Sequence, residues 1–317
     1  MPDQSIPDLP LSHFRLHFKA ARNPHMPEYS GSAWRGVFGR ELRRALCVTH
    51  LTHCQPCPLF QNCGYVYIFE TPPARDAQKL TQAPHAPHPY VLAPAPRQYA
   101  AEQSLDLILI GHAHRHLPYV MHAIRRTGMH GLGRLAEPLI LADVLQQSAP
   151  GQGEWLKVYD AESGELHAFS PHSPAIPPVP SAVRVEISTP LRAMVLERAA
   201  TPRNFQFAAF FKTLLRRISL LTYFHSDTPL AADFAGLNHL SEELALSNPQ
   251  FHWWDWSRHS LRQRQKIPMG GIYGSFELHG GLAPFWPFLW LGQWTRLGKG
   301  ACMGLGSYQM FPLREAE

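Results

Sequence analysis

Three groups of residues in this chain have types and spacings suited to chemistry. Residues 291–310 read Leu-Gly-Gln-Trp-Thr-Arg-Leu-Gly-Lys-Gly-Ala-Cys-Met-Gly-Leu-Gly-Ser-Tyr-Gln-Met, placing Gly292, Gly298, Gly300, Gly304 and Gly306 around Arg296 and Lys299. Glycine admits positive φ and close backbone approach, and exposed N–H groups beside cations suit a phosphate. The stretch lacks the G-x-x-x-x-G-K-[ST] of a P-loop. Cys47, Cys54, Cys57 and Cys63 are spaced C-x6-C-x2-C-x5-C. A C-x2-C pair with two flanking thiols can wrap one tetrahedral metal; four thiolates favour structural zinc, with an iron–sulfur cluster as competitor. A saturated site keeps no open position for substrate, so the expected role is to pin the end of a helix to the loop after it. Arginines form the third group: Arg35/Arg40/Arg43/Arg44, Arg125/Arg126, Arg216/Arg217 and Arg258/Arg262/Arg264/Lys266.

Composition narrows what those groups serve. The chain has 317 residues, 45% of them hydrophobic, and a formal net charge of +5, enough for two domains with real cores. Clustered cations beside a glycine loop tilt the reading toward an anionic polymer. No apolar run approaches the roughly 20 residues of a membrane span, and the first residues, Met1-Pro-Asp-Gln-Ser, lack a basic segment followed by an apolar core. The expectation is a cytoplasmic protein with no membrane partner, where disulfides are rare.

The elements that must position these groups come from periodicity. Phe14–Phe18 alternates as a strand. From about Ser32 the apolar positions Trp34, Val37, Phe38, Leu42, Ala45 and Leu46 follow a helical stripe, leaving Arg40, Arg43 and Arg44 on the opposite face. Pro72–Pro96 reads as an extended loop. Further strands are expected at Ser104–Ile110, Leu139–Leu145, Glu154–Tyr159, Val183–Ser188 and 271–280. Helices are expected over Pro118–Thr127, closed by Gly128, and over Phe205–Phe224, with Lys212, Arg216 and Arg217. His112, His114 and His116 would share one side of a strand, where they could hold a metal, or sit as surface residues at a corner. Trp253, Trp254 and Trp256 could stack on bases or be buried, and Cys302 reads as packed. Prolines between Ser170 and Pro180 stiffen a linker. The resulting fold class is α+β: two tandem ferredoxin-like domains of the split βαβ type, with a cysteine-rich insertion in the first. The first domain is 1–170 (metal site 47–63, Pro-rich loop 71–97), the linker 171–181, and the second domain 182–317 with its glycine-rich loop at 292–306.

Several segments also resemble a known family. Gly31-Ser-Ala-Trp-Arg-Gly-Val-Phe-Gly-Arg-Glu-Leu-Arg-Arg-Ala-Leu-Cys47 is similar to the first helix of the RAMP-superfamily endoribonucleases that process CRISPR precursor RNA. The cysteine segment through Tyr65-Val-Tyr-Ile-Phe-Glu70 and Leu109-Ile-Gly-His-Ala-His-Arg-His-Leu-Pro-Tyr-Val120 resemble one branch of it, and Leu291–Tyr308 resembles its glycine-rich loop. The resemblance implies two tandem ferredoxin-like domains and metal-independent cleavage of repeat RNA. The RNA's own 2′-hydroxyl attacks, leaving a 2′,3′-cyclic phosphate. It also implies retention of the mature guide RNA and association with other CRISPR effector subunits. That branch often carries histidine where this chain has Arg40 and Arg296. Arginine is a poor proton acceptor but a good clamp for a charged phosphorane. Three readings stay open: His25 or Tyr29 supplies acid–base function beside Arg40; arginines alone sustain a slow, single-turnover cleavage; or the chain binds RNA without cutting it, as a non-catalytic subunit of an effector. Arg35, Arg43, Arg44, Arg262, Arg264, Arg296 and Lys299, with Gly298 and Gly300, are the expected RNA contacts.

Overall fold

The computed structural model describes residues 6–21, 26–27, 29–73, 76–80, 85–95, 102–132, 136–151, 153–195, 198–260 and 265–313. The chain divides into two compact units. One comprises Leu9–Ala175 with Leu220–Asp227; the other comprises Met1–Asp8, Ile176–Ser219 and Thr228–Glu317.

The N-terminal unit is built from β1 (Leu11–Ala20), α1 (Gly31–Leu46), β2 (Tyr90–Pro94), β3 (Glu102–Ile110), α2 (Leu117–His130), β4 (Leu139–Gln147) and β5 (Trp155–Asp160). Its antiparallel sheet has the order β2-β3-β1-β4-β5. The first four strands and two helices thus form the split βαβ arrangement, with β5 added at one edge. Alternation sets the faces of β1: Phe14, Leu16 and Phe18 enter the core, while His13, Arg15 and His17 point away. On that outer face Arg15 donates to both carboxylate oxygens of Asp106, at 2.8 and 3.0 Å. Burial pushes the Asp106 carboxyl up, but hydrogen bonds from His13 and Arg15 hold it far below its ordinary value.

Several sequence expectations change here. The strand β2 lies inside the proline-rich stretch, at the sheet edge, where a proline such as Pro94 is tolerated. Gly128 does not end α2. The helix continues to His130 and closes at Gly131, whose φ is 69°. Gly128 serves contact with the sheet, since a Cβ there would lie 2.4 Å from the Leu139 carbonyl oxygen.

The second unit repeats the plan with β6 (Ala182–Leu191), α3 (Phe207–His225, of which the residues from Leu220 on belong to the N-terminal unit), α4 (Phe234–Glu243), β9 (Ser247–Trp254), β12 (Gly271–His279), α5 (Trp286–Thr295) and β13 (Tyr308–Pro312). The sheet order is β13-β6-β12-β9, the same split βαβ order. Two short hairpins decorate it: β7 (Met194–Val195) with β8 (Arg198–Ala199), and β10 (Ser257–Ser260) with β11 (Gln265–Pro268). The helix α4, unforeseen in the sequence, starts where Asp233 accepts a hydrogen bond from the Gly236 N–H at 2.9 Å. The apolar run Phe288–Leu291 is helical, within α5. The core is strongly aromatic: Phe207, Phe210, Phe211, Phe276, Phe288 and Tyr308 are all fully buried. Among the described residues, no helix is long and apolar enough to cross a membrane.

Candidate functional site

The face of α1 next to α2 carries an unusual charge. Glu41 lies at i+3 from Phe38 and turns inward with it, so its side chain is 0% exposed. Its Oε1 meets Arg44 NH1 at 3.0 Å, His130 Nε2 at 3.3 Å and Arg40 Nε at 3.5 Å; its Oε2 accepts from Arg126 Nε at 3.0 Å. Helical spacing explains the convergence, because Arg40 and Arg44 are one turn apart on α1, as are Arg126 and His130 on α2. Burial pushes the Glu41 carboxyl up. The hydrogen bond from Arg126 and the charges of His130, Arg44 and Arg126 outweigh it and hold the group below the usual glutamate value. The carboxylate is therefore ionised and ties down cations that remain in contact with water. Arg40 is 52% exposed, Arg44 57%, Arg126 41% and His130 40%. Leaving His130 aside, three guanidiniums and one carboxylate give the cluster a formal charge of +2.

Beside this cluster runs an open groove of about 450 Å³ along α1, lined by Gly36, Gly39, Arg40, Arg43, Arg44 and His50 among others. The two glycines shape it differently. A Cβ at Gly39 would strike the Phe69 ring at 2.1 Å, so that glycine lets the ring lie on the helix; Gly36 faces open space. Two of the arginines expected to bind RNA are already engaged. Arg43 donates to the Leu51 and Thr52 carbonyls and holds the cysteine segment against α1. The Arg35 guanidinium stacks 4.4 Å over Phe69 and lies 3.2 Å from His88 Nε2. Both are structural first. Tyr29 is only 6% exposed. His25, Arg262 and Arg264 lie outside the described residues.

The cysteine segment begins at the C-terminal end of α1. The Cys57 N–H donates to the Cys54 carbonyl at 3.0 Å, closing a tight turn across the C-x2-C pair. All four of Cys47, Cys54, Cys57 and Cys63 line one small cavity of about 20 Å³, close to the size of a single water. The donor set and the shared cavity fit a tetrahedral metal. Among the described residues, however, no three His, Cys, Asp or Glu side chains stand preassembled around a metal position. Cys57 Sγ instead lies 3.4 Å from Thr49 Oγ1. Closing a site would take rotation of these side chains.

The three alternate histidines separate. They occupy one tight helical segment, Gly111–His116, where three residues make a turn and positions i and i+2 diverge. His112 pairs with Asp227 at 2.9 Å, His114 Nδ1 meets Ser12 Oγ at 2.7 Å, and His116 lies against the Tyr67 ring. They do not share a metal. Among the tryptophans, Trp253 is 44% exposed on β9, whereas Trp254 sits edge-on to Tyr273.

In the second unit, the glycine-rich loop packs onto its own sheet. A Cβ at Gly306 would lie 1.9 Å from the Leu297 carbonyl oxygen, and one at Gly298, 2.6 Å from that of Arg192. Gly298 and Gly300 have φ of 80° and 90°. These glycines are demanded by the fold before any ligand is considered. Arg296 closes α5 at φ 59° and donates to the Gln293 carbonyl, whereas Lys299 projects to solvent. The enclosed Arg217 donates from Nε to the Thr295 carbonyl at 2.7 Å, linking α3 to α5, and burial lowers its pKa to about 10. It is a core cation and not part of an RNA-facing surface.

Comparison with known proteins places this geometry. Residues 185–308 match the family model of the CRISPR-associated endoribonuclease Cas6, and residues 9–171, more than half of the chain, match the N-terminal domain family AF_1859_N. The chain belongs to the AF_1859_N family. The Cas6 fold extends through both units. A Cas6 product complex is 17% identical with a TM-score of 0.55, covering 95% of this chain and 99% of that one. Thermus thermophilus Cas6 is 15% identical with a TM-score of 0.53, covering 96% and 99%. A Cas6-RT-Cas1–Cas2 complex aligns over 99% of this chain and 30% of its own at 12% identity and a TM-score of 0.52. Identities this low speak to the fold. An uncharacterized protein of Archaeoglobus fulgidus is 26% identical over 188 residues, covering 58% of this chain and 60% of that relative's length. Within the AF_1859_N portion, sequence reasoning found Arg40 and Arg44 but missed Glu41, Arg126 and His130 as their companions. The available signal was a glutamate at the i+3 position of a buried phenylalanine, amid arginines.

Proposed function

We propose that this chain is a CRISPR RNA-processing endoribonuclease. It binds precursor repeat RNA along the cationic α1 face and cleaves it without a catalytic metal. The RNA's 2′-hydroxyl attacks the adjacent phosphorus and leaves a 2′,3′-cyclic phosphate. The observation that carries this reading is the Arg40–Arg44–Arg126 cluster, exposed around one buried carboxylate, in a chain whose residues 185–308 match the Cas6 endoribonuclease model. Guanidinium forks match phosphate oxygens and stabilise the extra charge of a phosphorane. Lys299 and the glycine-loop backbone add further phosphate contacts in the second unit. Retention of the mature guide RNA and docking with other CRISPR proteins belong to the same reading; a solved Cas6-RT-Cas1–Cas2 complex has a Cas6 portion of this fold.

A second reading is favoured by one observation. Arg40 stands at a position where the resemblance carries histidine, and Tyr29 is buried, so the chain could bind RNA without cutting it, as a subunit of an effector complex. Incubation of purified protein with labelled cognate repeat RNA in EDTA separates the two. The nuclease reading expects a product ending in a cyclic phosphate and no product when the scissile 2′-hydroxyl is replaced by hydrogen. Tight binding without any cleavage establishes the second reading.

The four cysteines are proposed to hold one structural zinc, with an iron–sulfur cluster as competitor. Bound there, the metal would crosslink the end of α1 to the loop through residue 63 and stabilise folding. Elemental analysis of protein purified without chelator should give about one zinc per chain; Cys54→Ser with Cys57→Ser should abolish it and lower Tm.

A further inference from the structure

Arginine cannot accept a proton at neutral pH, so an arginine-led site that cuts RNA through its 2′-hydroxyl needs a proton acceptor nearby. Resting on the nuclease reading above, we infer that His130, at the end of α2, is that proton-transfer group and that Glu41 positions it. Histidine has the right acidity for the role at neutral pH.

The geometry is that of an oriented base. His130 Nε2 lies 3.3 Å from Glu41 Oε1 and 3.5 Å from Arg44 NH1. The nearer partner is a carboxylate, which only accepts, so the favoured tautomer carries its proton on Nε2 and donates it to Glu41. That leaves the lone pair on Nδ1, a nitrogen with no hydrogen-bond partner among the described residues. An imidazole fixed at one nitrogen by a buried carboxylate, with no partner at the other among the described residues, is the arrangement by which a base is oriented in nucleophilic catalysis. Glu41 is 0% exposed and held ionised by its neighbours, so it can also stabilise the imidazolium once it forms. His130 is 40% exposed and shares Glu41 with three water-accessible guanidiniums. Because all four side chains meet at one carboxylate, a phosphate gripped by Arg40, Arg44 and Arg126 would be held beside the His130 ring.

The step balances without a further reactant. Nδ1 of His130 takes the proton of the 2′-hydroxyl as the 2′-oxygen bonds to phosphorus. The P–O5′ bond breaks, its electron pair passes to the 5′-oxygen, and that oxygen takes a proton from solvent. The imidazolium then returns its proton to water. Arg40, Arg44 and Arg126 carry the added negative charge of the phosphorane meanwhile.

The test is single-turnover cleavage of the cognate repeat in EDTA, with RNA affinity measured in parallel. His130→Ala should lower the first-order rate by about 10²- to 10⁴-fold while RNA affinity stays within about threefold. Added imidazole should restore part of the rate, which a loss of fold would not permit. His130→Asn guards against a packing defect in the alanine variant and should be equally slow. His167→Ala, at an exposed site on the same unit, should behave as wild type. If wild type cuts and His130→Ala cuts within threefold of it, the assignment is overturned and the nuclease reading stands. Equal losses of affinity and rate, with no imidazole rescue, would make His130 a binding residue and also overturn it. A wild-type chain that never cuts its repeat overturns both.

Discussion

The two halves of this chain share one topology and solve its packing in opposite ways. In the N-terminal unit the meeting of α1 and α2 is polar: one buried carboxylate draws in three arginines and a histidine. In the second unit, α3 and α5 meet through rings. Phe211 packs on Phe285 and Phe288 at centroid distances of 4.7 and 5.8 Å, and Phe207 on Phe285 at 5.1 Å. A buried ion cluster gives up burial energy, because each charge loses hydration. What it provides is a set of cations in fixed positions that still face water. The aromatic unit is suited to hold a shape, and the polar one to hold a phosphate.

The largest expected effect tests the aromatic side of that contrast. Phe210 is fully buried, with Tyr308 and Phe276 at 5.0 and 5.6 Å. Phe210→Ala should cost about 3–5 kcal/mol in denaturant unfolding, and a cost under 1 kcal/mol would show the second core to be loosely packed.

On the polar side, Glu41→Gln should cost less, about 1–3 kcal/mol, because the abandoned cations are half-exposed and water can solvate them. The sign with pH follows from the lowered Glu41 pKa. Its contribution is complete above the unfolded-state glutamate value of about 4.3 and is lost as pH falls through the lower folded value. The stability gap between wild type and Glu41→Gln should therefore close on acidification; a gap that widens would contradict the ionised, clamped carboxylate.

Smaller effects divide the arginines within the N-terminal unit. Arg44→Ala should reduce the salt slope of RNA affinity by about one phosphate contact. Arg35→Ala should leave that slope unchanged and lower Tm, since Arg35 is stacked on Phe69. The reverse pattern would interchange the two roles.

The smallest effect concerns the groove itself. A Cβ at Gly36 meets nothing within 4 Å, so Gly36→Ala in mid-helix should stabilise the protein by about 0.5–1 kcal/mol. If the groove holds RNA against α1, the same methyl should weaken RNA binding measurably, and unchanged affinity would move the RNA elsewhere.

Much of the fold was legible in the residues. Alternation at Phe14–Phe18 and the stripe through Trp34, Phe38 and Leu42 gave β1 and α1, because side-chain periods of 2 and 3.6 are local properties. The glycine loop was recognisable too, but its reason was not. Gly298 and Gly306 are set by carbonyls of Arg192 and Leu297, one of them on a distant part of the chain. Gly128 misled in the same way: its role is set by Leu139, across the α2–β4 contact, and not by the end of the helix.

The sequence by itself determined most of the elements, though not β2, α4 or α5, together with the paired split βαβ plan, the cysteine spacing and the arginine-bearing helix. These rest on periodicity and on residue chemistry, which act over a few neighbours. Only the tertiary structure decided which arginines remain available. Arg43 is spent on carbonyls at Leu51 and Thr52 and Arg217 on Thr295, whereas Arg40 and Arg44 meet Arg126 and His130 around Glu41. That meeting joins residues more than 80 positions apart, through the packing of two helices on one sheet, and no local pattern encodes it.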